Sequence, residues 1–202
     1  MNHNNISNLC IFSLVVLVLC FTGCAKYNPK PLITPSIPQQ QQNNLSVSAH
    51  ALTESDCRYY FSRRILSKGY QPIQLSINNG TNQTYTLYAK NIDLALESRF
   101  HMTNQLKLSA TSRVCGWGIG GLFIWPLLIP AVAEVSYCSK ANRSLDQDFA
   151  QRIIDTNSRI FISPGQTINK ILFVSHDNFR SDFNMTIVDE ANSNNTVFNL
   201  NI

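Results

Sequence analysis

The chain has 202 residues, of which 14% are charged and 44% hydrophobic, and its formal net charge is +4. That balance excludes a disordered polyampholyte and a many-span membrane protein, and it leaves room for one domain of ~100–150 residues. The basic residues are scattered, Arg63-Arg64 being the densest spot. A nucleic-acid binder carries a basic stripe interleaved with aromatics, so nucleic acid is not an expected partner.

Residues 11–22 form an apolar run that is short for a membrane span and the right length for the core of a secretory leader. The run closes on Phe21-Thr22-Gly23-Cys24: an apolar residue, a small one, Gly, then Cys. This ending resembles the lipobox of bacterial lipoproteins, a resemblance confined to the leader. It implies a signal peptide over 1–23, cleavage after Gly23, and a mature Cys24 carrying a thioether-linked diacylglycerol and an N-linked acyl chain such as palmitate. Each buried methylene contributes ~0.8 kcal/mol, so several chains hold a protein on a membrane almost permanently. In lipoproteins of this type, Asp after the cysteine tends to mean inner-membrane retention; Ala25 stands there instead, which favours the outer membrane. No Lys or Arg precedes the apolar run, so an uncut signal anchor is the alternative.

Composition changes sharply after the cysteine. Pro29, Pro31, Pro35 and Pro38 lead into Gln39-Gln40-Gln41-Gln42-Asn43-Asn44. Proline without apolar periodicity, followed by Gln and Asn, predicts an extended tether over 24–50, spanning roughly 80 Å at full stretch. A single folded domain, 51–202, is expected to begin near Ala51.

Within it, Ile73 to Ile77 alternates apolar and polar residues, Asn79-Gly80 signals a turn, and Tyr85–Tyr88 and Ile92–Leu96 resume the alternation. The pattern predicts an antiparallel pair with one wet face. Residues 100–113 are ambiguous, with Met102 and Leu106 at helical spacing. Farther on, Ala141, Leu145, Phe149 and Ile153 fall four apart. They predict a helix from about Lys140 to Ile154, capped by Ser139, with Ala150 and Ile154 on the same face. Arg159–Ile162, Ile168–Val174, Phe183–Val188 and Val197–Ile202 read as strands, with turns at 163–166, 177–178 and 192–195. The predicted fold class is therefore α+β: an antiparallel β-sandwich, similar in strand style to small immunoglobulin-like envelope domains, with an apolar helical insertion at about 98–156.

Val114 to Ala133 contains no charge and is bracketed by Arg113 and Glu134. About 20 apolar residues cross a ~30 Å hydrocarbon core. Pro126, Pro130 and four glycines count against a lone helix in lipid. Burial against the sandwich, membrane insertion and contact with a protein partner all stay open. Trp117, Leu122, Phe123, Trp125, Leu127 and Leu128 are the candidate contact residues. Gly116, Gly118 and Gly121 match the G-x-G-x-x-G spacing, but Trp117, Trp125 and the prolines do not fit the strand–turn–helix context of a dinucleotide site.

Of six cysteines, Cys57, Cys115 and Cys138 lie beyond the leader, and none forms a Cys-x-x-Cys pair. Cys115 and Cys138 flank the apolar stretch and are a candidate disulfide in an oxidising compartment; three unpaired thiols are the alternative. His50, His101 and His176 show no metal-ligand spacing, no G-x-S-x-G occurs, and no two of Glu54, Asp56, Asp93, Asp155 and Asp189 are marked as a catalytic pair. No metal or cofactor is expected. The reading is a non-enzymatic, lipid-anchored envelope protein with a structural or protein-interaction role. Two alternatives remain: a two-point membrane protein whose 114–133 segment enters the bilayer, and a periplasmic enzyme whose site assembles only in three dimensions.

Overall fold

The computed structural model describes residues 27–35, 40–109 and 128–202, with 128–135 described as backbone. The chain divides into two compact units, 1–27 with 108–143 and 28–107 with 144–202. In the first, the Asn142 amide clasps residue 108: Leu108 N–H donates to Asn142 Oδ1 at 2.8 Å, and Asn142 Nδ2 donates to Leu108 O at 3.0 Å.

Among the described residues, the second unit holds eight strands in two antiparallel sheets of four. They are β1 (Gln40–Gln42), β2 (Leu45–Ala51), β3 (Tyr70–Asn79), β4 (Tyr85–Ile92), β5 (Arg159–Ile162), β6 (Thr167–Ser175), β7 (Asp182–Asp189) and β8 (Asn195–Asn201). The first sheet runs β1-β2-β3-β6 and the second β5-β4-β7-β8. The described residues also form three α-helices: α1 (Glu54–Phe61), α2 (Arg99–Leu106) and α3 (Leu128–Arg152). The expected α+β sandwich is thus present.

Between the sheets lies one core, in which Val47, Ile73, Leu75 and Ile77 of the first sheet meet Leu87, Met185, Ile187 and Phe198 of the second. A second core covers the other face of the first sheet. There Phe173 of β6 stacks on Phe149 of α3 with ring centroids 5.7 Å apart, and Phe61 of α1 meets Phe149 edge-on, also at 5.7 Å. Arg63 Nε donates to Leu106 O at 3.3 Å and ties the end of α1 to α2. Both faces of β3 are consequently dry: Gln74 and Ser76 are 1% and 3% exposed. The expected wet face is absent because helices lie on it.

The predicted β3–β4 hairpin is not formed either; the two strands belong to different sheets. Asn79 is the corner post. Its buried amide donates to Gln83 O at 2.8 Å and Ile162 O at 3.0 Å, while its Oδ1 accepts from Thr81 N–H at 3.0 Å. These bonds bend the chain across the sandwich rather than back along β3. Gly80 is needed here, since a Cβ would stand 2.9 Å from Asn44 O. The alternation at Ile92–Leu96 breaks for a similar reason: β4 stops at Ile92, and Leu96 bridges Val174 in the other sheet.

Composition also misplaces the start of the fold. Gln40–Gln42 and Leu45–Ala51 are strands, so the expected boundary near Ala51 falls at the end of β2. Asn43 and Asn44, at φ 49° and 63°, make the two-residue left-handed turn between them. The glutamines close the sandwich. Gln42 Nε2 donates to Val197 O at 2.7 Å, Asn199 N–H donates to Gln40 Oε1 at 3.0 Å, and Gln40 Nε2 donates to Asn199 O. Side-chain amides thereby occupy the edge of β8, a place where an unpaired edge invites aggregation.

Helix α3 begins at Leu128, so Ser139 sits inside it and is not its cap. Pro130 is tolerated because the first-turn N–H groups have no intrahelical acceptor in any case. Leu145 and Phe149 are buried as expected, but Ala150 is exposed, and Ile154 has left the helix to join the inter-sheet core. Helix α1, by contrast, has a short apolar pattern and a strong start. Thr53 and Asp56 form a reciprocal capping box.

The aromatic trio fixes the helices on the sheet. Phe149→Ala is expected to lower unfolding free energy by about 3–5 kcal/mol. Urea denaturation followed by circular dichroism measures this; a loss below about 1 kcal/mol would mean that the second core contributes little.

Candidate functional site

Among the residues singled out from sequence, Cys24, Cys115, Trp117, Leu122, Phe123, Trp125 and Leu127 lie outside the described residues, and Leu128 is the first residue of α3. Cys138 is on α3 and buried; its candidate partner Cys115 is not among the described positions. Among the described residues, no helix is long and apolar enough to cross a membrane, and no three His, Cys, Asp or Glu side chains cluster as metal ligands.

The carboxylates considered as catalytic candidates have structural partners. Asp56 Oδ2 accepts from Thr53 N–H at 2.9 Å, and Glu54 Oε2 accepts from Leu66 N–H at 3.2 Å. Asp155 Oδ1 accepts from Arg99 N–H at 3.2 Å, so it helps start α2. Asp189 holds the β7–β8 turn through Ala191 N–H at 2.9 Å and Asn192 Nδ2 at 3.0 Å. Asp93 lies 3.1 Å from Arg180 Nη2. The histidines are dispersed: His50 is on β2 opposite Gln74, His101 on α2 meets the Tyr70 hydroxyl at 2.8 Å, and His176 is in the turn after β6.

Cys57 lies inside α1. Burial first, then the nearby charges of Glu54 and Asp56, push its thiol up to about 12. A thiol so disposed stays protonated and is a poor nucleophile. Tyr60, three residues farther along the same helix, is pushed upward as well, chiefly by burial and then by the charge of Asp56.

An open cleft of about 680 Å³ runs along the end of β4, lined by Lys90 to Ala95, Asp177 to Arg180, Asn184 and Thr186. Charges of both signs line it, and no Ser, Cys or His stands among its lining residues. Nearby, Arg159 Nη2 reaches both oxygens of Glu190 at 3.1 Å, and its guanidinium lies 5.3 Å from the Tyr88 ring centre and 4.4 Å from that of Phe161. Arg159, at 3.1 Å, helps hold the Glu190 carboxyl below its ordinary range. This row is a cation–aromatic ladder on the outer surface of the second sheet.

A third feature was not foreseen. Residues 28–34, expected to be free tether, are fastened to the fold. Ser62 Oγ donates to Asn28 O at 3.2 Å, and Lys30 N–H donates to Tyr60 O at 3.2 Å. Gln74 Nε2 donates to Ile33 O at 2.7 Å, and Asn169 Nδ2 donates to Thr34 Oγ1 at 3.2 Å. Arg152 completes the clasp: it pairs with Asp148 at 2.7 Å and donates to Lys30 O at 2.7 Å. The segment thus runs as a strap over α1 and the helix-covered face of the first sheet. Lys30 on the strap, Arg58 and Tyr59 on α1, and Arg64 just after it are all exposed. The sequence signal for this strap was slight. Gln74 is polar at a strand centre, and such a residue, once buried, needs a partner.

No family model, curated protein or solved structure matches the chain.

Cys57 yields a pH prediction. Its thiol binds a proton more tightly in the folded state than in the unfolded chain. Its contribution to stability is therefore whole below the unfolded pKa, ~8.5, and is lost as pH rises toward about 12. Denaturation midpoints should fall over that window in the wild type and fall less in Cys57→Ala; equal slopes in the two proteins would contradict the burial assigned to the thiol.

Proposed function

We propose that this chain is a lipid-anchored envelope protein with a structural or binding role, attached through an acylated Cys24. The observation that carries this reading is the apolar leader ending in Phe21-Thr22-Gly23-Cys24. The strap supports it. Chain is fastened to the domain from Asn28, four positions after the cysteine, so an anchor at Cys24 would act on a fixed point of the fold. The outer membrane is the proposed address, from Ala25.

The proposed fold identity is immunoglobulin-like. Setting β1 aside, the strands run β2-β3-β6 in one sheet and β5-β4-β7-β8 in the other. That is the Greek-key order of a seven-stranded sandwich, with α1 inserted after the first strand and the 93–158 segment after the third. Sandwiches of this kind serve many unrelated functions, so the site must speak for the role. Here Asp56 and Asp155 cap helices, Glu54 accepts from a backbone N–H, Asp189 holds a turn, Asp93 pairs with Arg180, and the buried thiol stays protonated. Polar groups so committed suit a scaffold better than a catalyst. Val114 to Ala133, with Trp117, Leu122, Phe123, Trp125, Leu127 and Leu128, is proposed as the second contact, with membrane or partner.

Acylation is tested directly. Mass spectrometry of protein extracted from membranes should find a mature N-terminus at Cys24 with added acyl mass. Cys24→Ala should appear in the soluble fraction after a high-salt wash. An intact Met1, or a wild type that bears no acyl group, contradicts the reading.

A further inference from the structure

We infer that the face formed by the strap and the C-terminal end of α1 is a docking surface for an anionic phospholipid bilayer, which holds the sandwich flush against its own membrane. The inference rests on the proposed acylation of Cys24 and adds to it an orientation and a lipid chemistry.

Chain length sets the geometry. A free tether over 24–50 would let the domain roam tens of ångströms from the bilayer. The strap removes that freedom, because Asn28 O is already held by Ser62 at 3.2 Å. Asn28 is four steps along the chain from Cys24, and four steps reach at most about 14 Å. An acyl chain leaving Cys24 therefore brings Asn28, Ser62 and their surroundings to the headgroup layer.

The side chains at that place suit such a layer. Lys30, Arg58 and Arg64 are exposed cations. Tyr59 is 54% exposed and Ile33 59% exposed; the Tyr59 and Tyr60 rings meet edge-on at 5.1 Å. Tyrosine and Lys or Arg together are the chemistry that settles at a membrane–water interface. The two carboxylates of α1 do not cancel the cations. Asp56 is folded into the capping box at the other end of the helix, and Glu54 accepts from Leu66 N–H while standing 3.8 Å from Arg58. An exposed pair of that length binds Arg58 weakly and leaves it available to phosphate. Basic residues near an anionic leaflet each strengthen attachment severalfold, and that attraction falls away within a Debye length. The short reach from Cys24 keeps these within it.

The test uses the acylated full chain reconstituted in phosphatidylcholine vesicles with or without phosphatidylglycerol. A fluorophore is placed on Tyr59→Cys or, in the second sheet, on Val197→Cys, and energy transfer to headgroup-linked acceptors is read. Transfer from position 59 should exceed that from 197 at least about twofold in the anionic vesicles, because a sheet-to-sheet spacing of ~10 Å and a helix layer separate the two probes. The excess should shrink when phosphatidylglycerol is omitted, when salt is raised, and in a Lys30→Gln, Arg58→Gln, Arg64→Gln background. An acylated chain with equal transfer from both positions, or an excess indifferent to charge, overturns the docking surface and leaves the anchor standing. A chain without acyl groups overturns both.

Discussion

The structure depends on one constraint: β3, the central strand of the first sheet, is buried on both faces. Ile73, Leu75 and Ile77 point into the sandwich and supply its core. Gln74 and Ser76 point the other way and are just as dry. A sheet of that kind needs a second covering layer, and the chain provides it from separate places. Helix α1 arrives between β2 and β3, while α2 and α3 arrive between β4 and β5. Phe61, Phe149 and Phe173 make the apolar part of the seal. The strap provides the polar part, since Ile33 O accepts from the buried Gln74 amide. Without that carbonyl, a buried donor would cost about 1–3 kcal/mol.

Much of the sheet content was legible because its signal is local. The edges of β5 and β6 and the Ser163–Gln166 turn follow from alternation and from Gly165, whose φ of 69° a larger residue adopts reluctantly. Pairing was not legible. Asn79-Gly80 reads as a hairpin turn, yet the outcome is decided by Asn79 reaching Ile162 O, a partner 83 residues away. No window of ten residues contains that bond. The same holds for Gln40 and Gln42. Their composition says tether, and their function as an edge cap exists only once β8 lies beside them. Helix α1 carries a local signal of its own: Thr53 and Asp56 make a capping box at its start, and its two buried residues, Cys57 and Phe61, fall four apart. Of the candidate site, the proposed leader and its cysteine rest on the sequence alone, whereas the strap is a tertiary fact.

These long-range bonds change the meaning of the N-terminal region. A proline- and glutamine-rich segment after a lipidated cysteine ordinarily suggests distance from the membrane. Here one part of it lies on the helices and another is woven into the first sheet. The strap that begins at Asn28 is clasped to the fold by Arg152, which pairs with Asp148 and donates to Lys30 O. Under the proposed anchoring, orientation on the membrane would follow from covalent reach and from the exposed charges of the strap and α1, while the Arg159 ladder stands on the other sheet.

Amide hydrogen exchange on the full chain tests this fastening most directly. The Lys30 N–H, bonded to Tyr60 O at 3.2 Å, should exchange slowly in the wild type, and Arg152→Ala should accelerate it while amides at the centre of β3 stay protected. Exchange at free-chain rates across residues 28–34 in the wild type would contradict the account.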